Sequence, residues 1–249
     1  MKFRANPHLQ RIAESVGVQD ATRAVEIFVN ERLKTSTSLE DLAHRLGVRE
    51  IVEERLSFEG CLFNHPEKGL VIKLNADSPA SRKRFTLAHE LGHLLLGAVP
   101  GLRSACHDDP ALEGACDSIA AELLMPSAGA TTFIRSLGQP SPEKLKAIAS
   151  KYSVSLRMAA IRVHADLRLW KCFVGLWDRY PEVKVAWFVG RRFWDRVEPD
   201  AYSLDLALSS ATSVQSREWW QRGSRRDSVW LNMLRISNGR VLGLIDFVN

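Results

Sequence analysis

The chain has 249 residues, of which 45% are hydrophobic, and a formal net charge of +5. This length fits one large domain or two modest ones, and the apolar content suffices for packed cores. No window approaches the roughly 18 apolar residues of a membrane span, and the N-terminus has no apolar signal core. We therefore expect a cytoplasmic protein with no membrane partner. The four cysteines form no C-x-x-C pair, which favours reduced thiols.

The first part of the chain is predicted to be mainly helical. Apolar periodicity predicts helices over residues 8–16, about 20–34 and 39–46. The third helix begins in the capping string Thr37-Ser-Leu-Glu40 and ends at Gly47. Residues 69–75 have the composition of a strand. A strand next to the following helix is suited to bind an extended peptide through main-chain hydrogen bonds.

An H-E-x-x-H motif, formed by His89, Glu90 and His93, lies in a predicted helix of roughly 18 residues that begins at Ser78-Pro79. Side chains four apart on a helix stand one above the other, so the two histidines can bind one zinc ion about 2 Å away. Glu90 lies near that ion without binding it and can take a proton from a zinc-bound water. The alternative is an incidental pair of core or surface histidines.

A catalytic zinc needs a third protein ligand, with water in the fourth position. A further helix is predicted over about residues 110–124, with Glu113 and Asp117 on one face. Glu113 can bind the metal, while Asp117 can accept a hydrogen bond from the non-ligating nitrogen of a motif histidine. The alternative is a solvated acidic first turn, stabilised by the helix dipole.

Three other side chains compete for a role at this site. Cys106 and His107 belong to the loop before the second helix, and Cys116 directly precedes Asp117. A loop holds a catalytic ligand less well than a helix does, which favours Glu113. The influence of the three side chains on the metal stays open, and no oxyanion-stabilising residue follows from the sequence.

The composition changes near residue 168, since all seven tryptophans lie beyond that point. Two helices are predicted between residues 141 and 168, and the period then changes to that of strands. The predicted strands are Lys171–Trp177, Val183–Val189, Ser228–Ile236 and Arg240–Val248. Asn238-Gly239 predicts a type I′ hairpin between the last two.

These elements predict an α+β protein with two domains. Residues 1–168 are predicted to form a mainly helical domain with a small sheet, which includes the helical segment at about 141–168, and the H-E-x-x-H motif predicts that this domain is a zincin-like metallopeptidase. Residues 169–249 form a smaller, Trp-rich antiparallel β domain suited to regulation or partner binding.

Two motifs in this order resemble the ImmA/IrrE family of zinc metallopeptidases, over roughly residues 1–165. They are Arg84-Phe-Thr-Leu-Ala-His-Glu-Leu-Gly-His93 and Glu113-x-x-x-Asp117-x-x-Ala-Ala-Glu-Leu-Leu-Met-Pro126. The chain departs from the family where members usually have Ala-Asn or Ala-Asp and then Phe, since Cys116, Asp117 and Ile119 stand there. The Trp-rich segment is outside the resemblance.

The resemblance implies a gluzincin-like centre with one catalytic zinc ion. His89, His93 and Glu113 are then its ligands, and Glu90 is the general base. It further implies a zinc metalloendopeptidase whose protein substrate is a helix-turn-helix repressor. Cleavage of that repressor switches on stress or mobile-element genes.

A different hypothesis is a DNA- or protein-binding transcriptional regulator that retains the zincin fold. Residues 144–162 resemble a helix-turn-helix with its turn at Ser153-Val154 and with Arg157 and Arg162 on the second helix. The glycine usual in such a turn is absent, so direct DNA binding is not favoured. The substrate, the cleavage site, the activating signal and the oligomeric state do not follow from the sequence.

Overall fold

The computed structural model describes residues 14, 17, 21–33, 38–97, 110–190, 199–222 and 225–247. The chain forms two compact units, one up to Ser127 and one from Ala128 onward. The predicted α+β class is confirmed, with a three-stranded sheet in the first unit and a five-stranded sheet in the second. Among the described residues, no helix is long and apolar enough to cross a membrane.

The first unit contains four described helices and a small sheet. They are α1 Ala21–Leu33, α2 Leu39–Arg45, β1 Val48–Glu54, β2 Gly60–His65, β3 Gly69–Asn75, α3 Ala80–Gly97 and α4 Pro110–Leu124. The predicted helices at about 20–34, 39–46 and 110–124 are confirmed, whereas the helix at 8–16 falls largely outside the described residues. Ser38, one residue later than predicted, caps α2 by accepting the Asp41 N–H at 2.9 Å.

The predicted strand at 69–75 is present as β3, but its suggested role in binding a peptide is wrong. The sheet order is β1-β3-β2, so β3 is hydrogen-bonded on both sides, parallel to β1 and antiparallel to β2. An extended peptide can add only to a strand with a free edge. In the described part of the chain, β2 has such an edge, and it lies beside α3.

A glycine brings α3 and α4 into backbone contact. A Cβ atom added at Gly92 would lie 3.0 Å from the Cα atom and 3.2 Å from the carbonyl oxygen of Cys116. Any larger side chain at this position would hold the two helices apart. Leu95 and Leu96 of α3 and Ile119 of α4 continue the contact into a core shared with α1. The close approach fixes which turn of α4 faces the H-E-x-x-H motif.

Helices and a sheet pack together in the second unit. Its elements are α5 Ser127–Ser136, α6 Pro142–Tyr152, α7 Leu156–Ile161, a π-helical turn Arg162–Asp166, β4 Phe173–Asp178, β5 Lys184–Val189, α8 Ala201–Ser209, β6 Val214–Arg222, β7 Arg225–Ser237 and β8 Arg240–Phe247. The antiparallel sheet has the order β5-β4-β8-β7-β6. Both α6 and α7 contact this sheet, and α8 packs on it through Leu204 and Ala207. The domain boundary at 168 stays a prediction, and the compact units divide elsewhere, after Ser127.

The predicted hairpin between β7 and β8 is present, but its turn is not type I′. That turn requires a positive φ at both central residues. Gly239 has a φ of 80°, whereas Asn238 is not among the described residues with positive φ. The ladder shifts register between Arg235 and Ser237, so a bulge accommodates the turn instead.

Candidate metal centre

Helix α3 presents the H-E-x-x-H motif to an open cleft in the first unit. The rings of His89 and His93 lie one turn apart, with centroids separated by 5.0 Å and planes at 71°. Glu90 lies in the wall of the same cleft and is only 7% exposed. The motif therefore brings two imidazoles and a buried carboxyl group to one cavity of about 530 Å³.

Helix α4 places the Glu113 carboxylate between the two imidazoles. Its Oε2 atom lies 3.0 Å from Nε2 of His89, and its Oε1 atom lies 3.4 Å from Nε2 of His93. Two imidazole nitrogens and a carboxylate oxygen form a donor set that suits zinc. The structure thus brings together the three residues that the sequence predicts as metal ligands.

Asp117, one turn further along α4, is the hydrogen-bond partner of the other ring nitrogen of His89. Its Oδ1 atom lies 2.9 Å from Nδ1 of His89, which leaves Nε2 for a metal when the Nδ1–H donates to Asp117. Burial alone would lower the pKa of His89. The hydrogen bond to Asp117 and the charges of Asp117, Glu90 and Glu113 outweigh burial, so the pKa of His89 is raised.

Cys116 is the competing donor that the structure describes. Its side chain is fully buried, and its sulfur and one ligand atom each of His89 and His93 lie within 4.8 Å of one another. Burial, together with the nearby carboxylates of Glu113 and Glu90, raises the pKa of this thiol, which is therefore protonated at neutral pH. Cys106 and His107 lie outside the described residues.

The sequence interpretation missed the part of the cleft wall that β2 contributes. Glu59, Gly60, Cys61 and Leu62 line it at the start of β2. The signal for β2 was weak because its six residues include a glycine and an exposed asparagine. Glu59 lies 3.4 Å from Arg82 of α3 in an exposed ion pair, and both residues line the cleft.

Substitution of Asp117 should weaken metal binding without abolishing it. In Asp117→Asn the neutral amide accepts a weaker hydrogen bond from His89, so the imidazole is less well oriented and less basic. We expect zinc affinity to fall by about 10- to 100-fold, as measured by competition with a chromophoric chelator. Unchanged affinity would show that Asp117 does not position His89.

Metal binding should weaken as the pH falls. A metal must displace the proton of His89, and the raised pKa of His89 means that this proton is held more firmly than on an ordinary histidine. The loss of affinity should therefore begin at a higher pH than for an unperturbed imidazole. Zinc titrations over a pH series test this, and an affinity that stays constant through the neutral range would contradict it.

Comparisons with known proteins agree with the two motifs. Residues 55–164 match the sequence profile of the IrrE N-terminal-like domain, a narrower segment than the resemblance suggested. The Radiation response metalloprotease IrrE of Deinococcus radiodurans is 33% identical over 96 aligned residues, and the match covers 36% of this chain and 29% of the relative's length. This chain therefore matches less than a third of that curated relative.

A solved structure resembles the fold over a longer stretch. It is a Mycobacterium tuberculosis transcriptional regulator, with a TM-score of 0.53 and 14% sequence identity over 97% of this chain and 81% of that one. At this identity the likeness concerns the fold alone. The motifs, their geometry and the sequence match together support the assignment of residues 55–164 to the ImmA/IrrE family of metallopeptidases.

Proposed function

We propose that the chain is a zinc-dependent endopeptidase. One observation carries the proposal: the Glu113 carboxylate lies at 3.0 and 3.4 Å from the Nε2 atoms of His89 and His93. With Asp117 on the far nitrogen of His89, this arrangement fits a zinc site with three protein ligands. The match to a metallopeptidase family supports the same assignment.

The proposed chemistry assigns proton transfer to Glu90. A zinc ion bound by His89, His93 and Glu113 would acidify a coordinated water and polarise the scissile carbonyl. Glu90 follows His89 directly and lines the cleft, so its carboxylate is placed to accept the proton of the attacking water and to deliver it to the leaving amine.

The edge of β2 is a suitable platform for a peptide substrate. The N–H of Asn75 donates to the carbonyl of Glu59 at 2.9 Å, and the register places these two residues opposite each other. In an antiparallel ladder, hydrogen-bonded pairs alternate with pairs that are not hydrogen-bonded to each other. Gly60 and Leu62 belong to pairs of the second kind, so their N–H and C=O groups point away from β3, towards the free edge of β2. An extended peptide paired there would run along the cleft that contains Glu90.

The variant Leu62→Pro should impair substrate binding while it spares the zinc. Proline removes the outward N–H, and loss of one hydrogen bond of about 0.5–1.5 kcal/mol should raise KM up to roughly 10-fold. Asn64→Pro is the matched control, since Asn64 occupies the equivalent outward position beyond the cleft. Equal effects of the two substitutions on peptide hydrolysis would contradict pairing at Leu62.

The proposed substrate is a regulatory protein, a helix-turn-helix repressor whose cleavage derepresses stress or mobile-element genes. The family resemblance supports this class, as does the relative whose name describes a radiation response metalloprotease. The proposal places the protein in the cytoplasm, where such a repressor acts.

Coexpression with repressors from neighbouring genes tests whether the substrate is a repressor. The wild type should produce a zinc-dependent cut that Glu90→Gln does not. No cut in any candidate would count against a repressor substrate.

A second candidate is a transcriptional regulator that retains the zincin fold. The helix pair α6 and α7, joined by Ser153 in the left-handed conformation, supports it, as does the likeness in fold to a transcriptional regulator of Mycobacterium tuberculosis. The expected use of Arg162 in DNA binding is wrong because Arg162 is 4% exposed and lies 3.4 Å from Asp166. Arg157 is exposed. Duplex DNA binding that falls steeply with added salt would favour a DNA-binding regulator, and no binding at low salt would exclude direct DNA binding.

A further inference from the structure

Helix α4 presents two different donors to the same pair of histidines. Glu113 and Cys116 are three residues apart, so they lie on one face of the helix. Glu113 approaches the histidines through its carboxylate. Cys116 approaches them as well, because its sulfur and one ligand atom each of His89 and His93 lie within 4.8 Å of one another. His89, His93 and Cys116 therefore bring three donor atoms together even without the Glu113 carboxylate.

Hardness and burial distinguish the two donors. The side chain of Glu113 is 38% exposed in the first turn of α4 and offers a hard oxygen. The side chain of Cys116 is fully buried at the contact with Gly92 and offers a soft sulfur. Neighbouring ligands of a tetrahedral ion lie roughly 3.5 Å apart, given bond lengths near 2.0–2.3 Å. A set of atoms already within 4.8 Å therefore needs a shift of only about 1 Å.

We propose that Cys116 is an alternative third ligand, which with His89 and His93 binds a soft cation such as Cd²⁺ when Glu113 is not engaged. The metal–sulfur bond forms as the thiol proton leaves to solvent, so no oxidant or reductant takes part. The inference rests on the histidine pair of the proposed zinc site. Two donor sets that share these histidines cannot be filled at once, so a soft ion on Cys116 excludes the catalytic ion.

Cobalt titration of the full chain tests the proposal, because a thiolate ligand adds a near-ultraviolet charge-transfer absorption. We expect this absorption in Glu113→Ala and none in the double variant Glu113→Ala/Cys116→Ser. The double variant should also bind Cd²⁺ at least about 10-fold more weakly than Glu113→Ala. Cys61→Ser in the Glu113→Ala background is the control, since Cys61 is a second thiol that lines the cleft. It should keep the absorption.

The outcomes separate this inference from the proposed function. Cobalt binding by Glu113→Ala without thiolate absorption, or absorption that survives Cys116→Ser, would overturn the role of Cys116 and leave the zinc site intact. A wild-type chain that binds no Co²⁺ would overturn both. Cys116→Ala, checked by circular dichroism, replaces Cys116→Ser if the buried hydroxyl impairs folding.

Discussion

The variant Glu90→Gln should retain zinc and lose peptide hydrolysis. Glutamine has the size of glutamate and fits the same buried position in the cleft wall, but it cannot accept a proton. Removal of a general base costs about 10²- to 10⁴-fold in rate. We expect a loss of kcat in this range at an unchanged metal content, measured on a cleaved repressor or a peptide derived from it.

A second buried glutamate provides the control for Glu90→Gln. Glu122 is 3% exposed, accepts two hydrogen bonds from Ser127 and does not line the cleft. Glu122→Gln should lower the free energy of unfolding by about 1–3 kcal/mol, because it weakens charge-assisted hydrogen bonds, and should leave kcat unchanged.

Wild-type activity in zinc-loaded Glu90→Gln would contradict the assignment of Glu90 as the general base. Loss of zinc from that variant would show that Glu90 holds the site together instead.

Enlarging Gly92 should impair both stability and metal binding, although Gly92 is no ligand. In Gly92→Val the new side chain meets the Cα atom of Cys116, a backbone atom that cannot rotate away. Overpacking costs about 1–3 kcal/mol, whereas replacing glycine within a helix gains only a few tenths. The helices should therefore move apart and carry Glu113 away from the histidines. We expect a lower free energy of unfolding and weaker zinc binding.

The same helix provides the control for Gly92→Val. A Cβ atom added at Gly97 meets no atom within 4 Å, so Gly97→Ala should keep zinc affinity and should not lower the free energy of unfolding. Denaturant unfolding and zinc competition on both variants check the pair. If Gly92→Val bound zinc as tightly as wild type, the helix contact would not be what positions Glu113.

The helices that carry the site were predictable because their signals are local. The H-E-x-x-H spacing and the caps around α3 and α4 lie within short windows, and the predicted pairing of Glu113 and Asp117 on one helix face follows from the helical period alone. The contact of Glu113 with both imidazoles then required only that α4 lie against α3. Gly92 determines how closely they approach, and its role depends on Cys116, a residue distant in sequence.

The elements that the sequence did not predict depend on contacts between distant segments. β2 is short and polar at several positions, and its place at the sheet edge follows from pairing with β3. Without β2, the lining of the cleft by Glu59 and Cys61 could not be predicted. The helix-turn-helix hypothesis placed Arg162 on the second helix as a DNA-binding residue, but the packing of its unit buries Arg162, and no local pattern indicates which face packs.

The most direct test of the zinc site is the position of the metal itself. Anomalous diffraction at the zinc edge, on crystals of the full chain grown with zinc, locates the ion independently of any activity. We expect one ion about 2 Å from Nε2 of His89, Nε2 of His93 and a carboxylate oxygen of Glu113. Zinc at another site, or an ion held by the histidines with Glu113 turned away, would contradict the proposed catalytic centre.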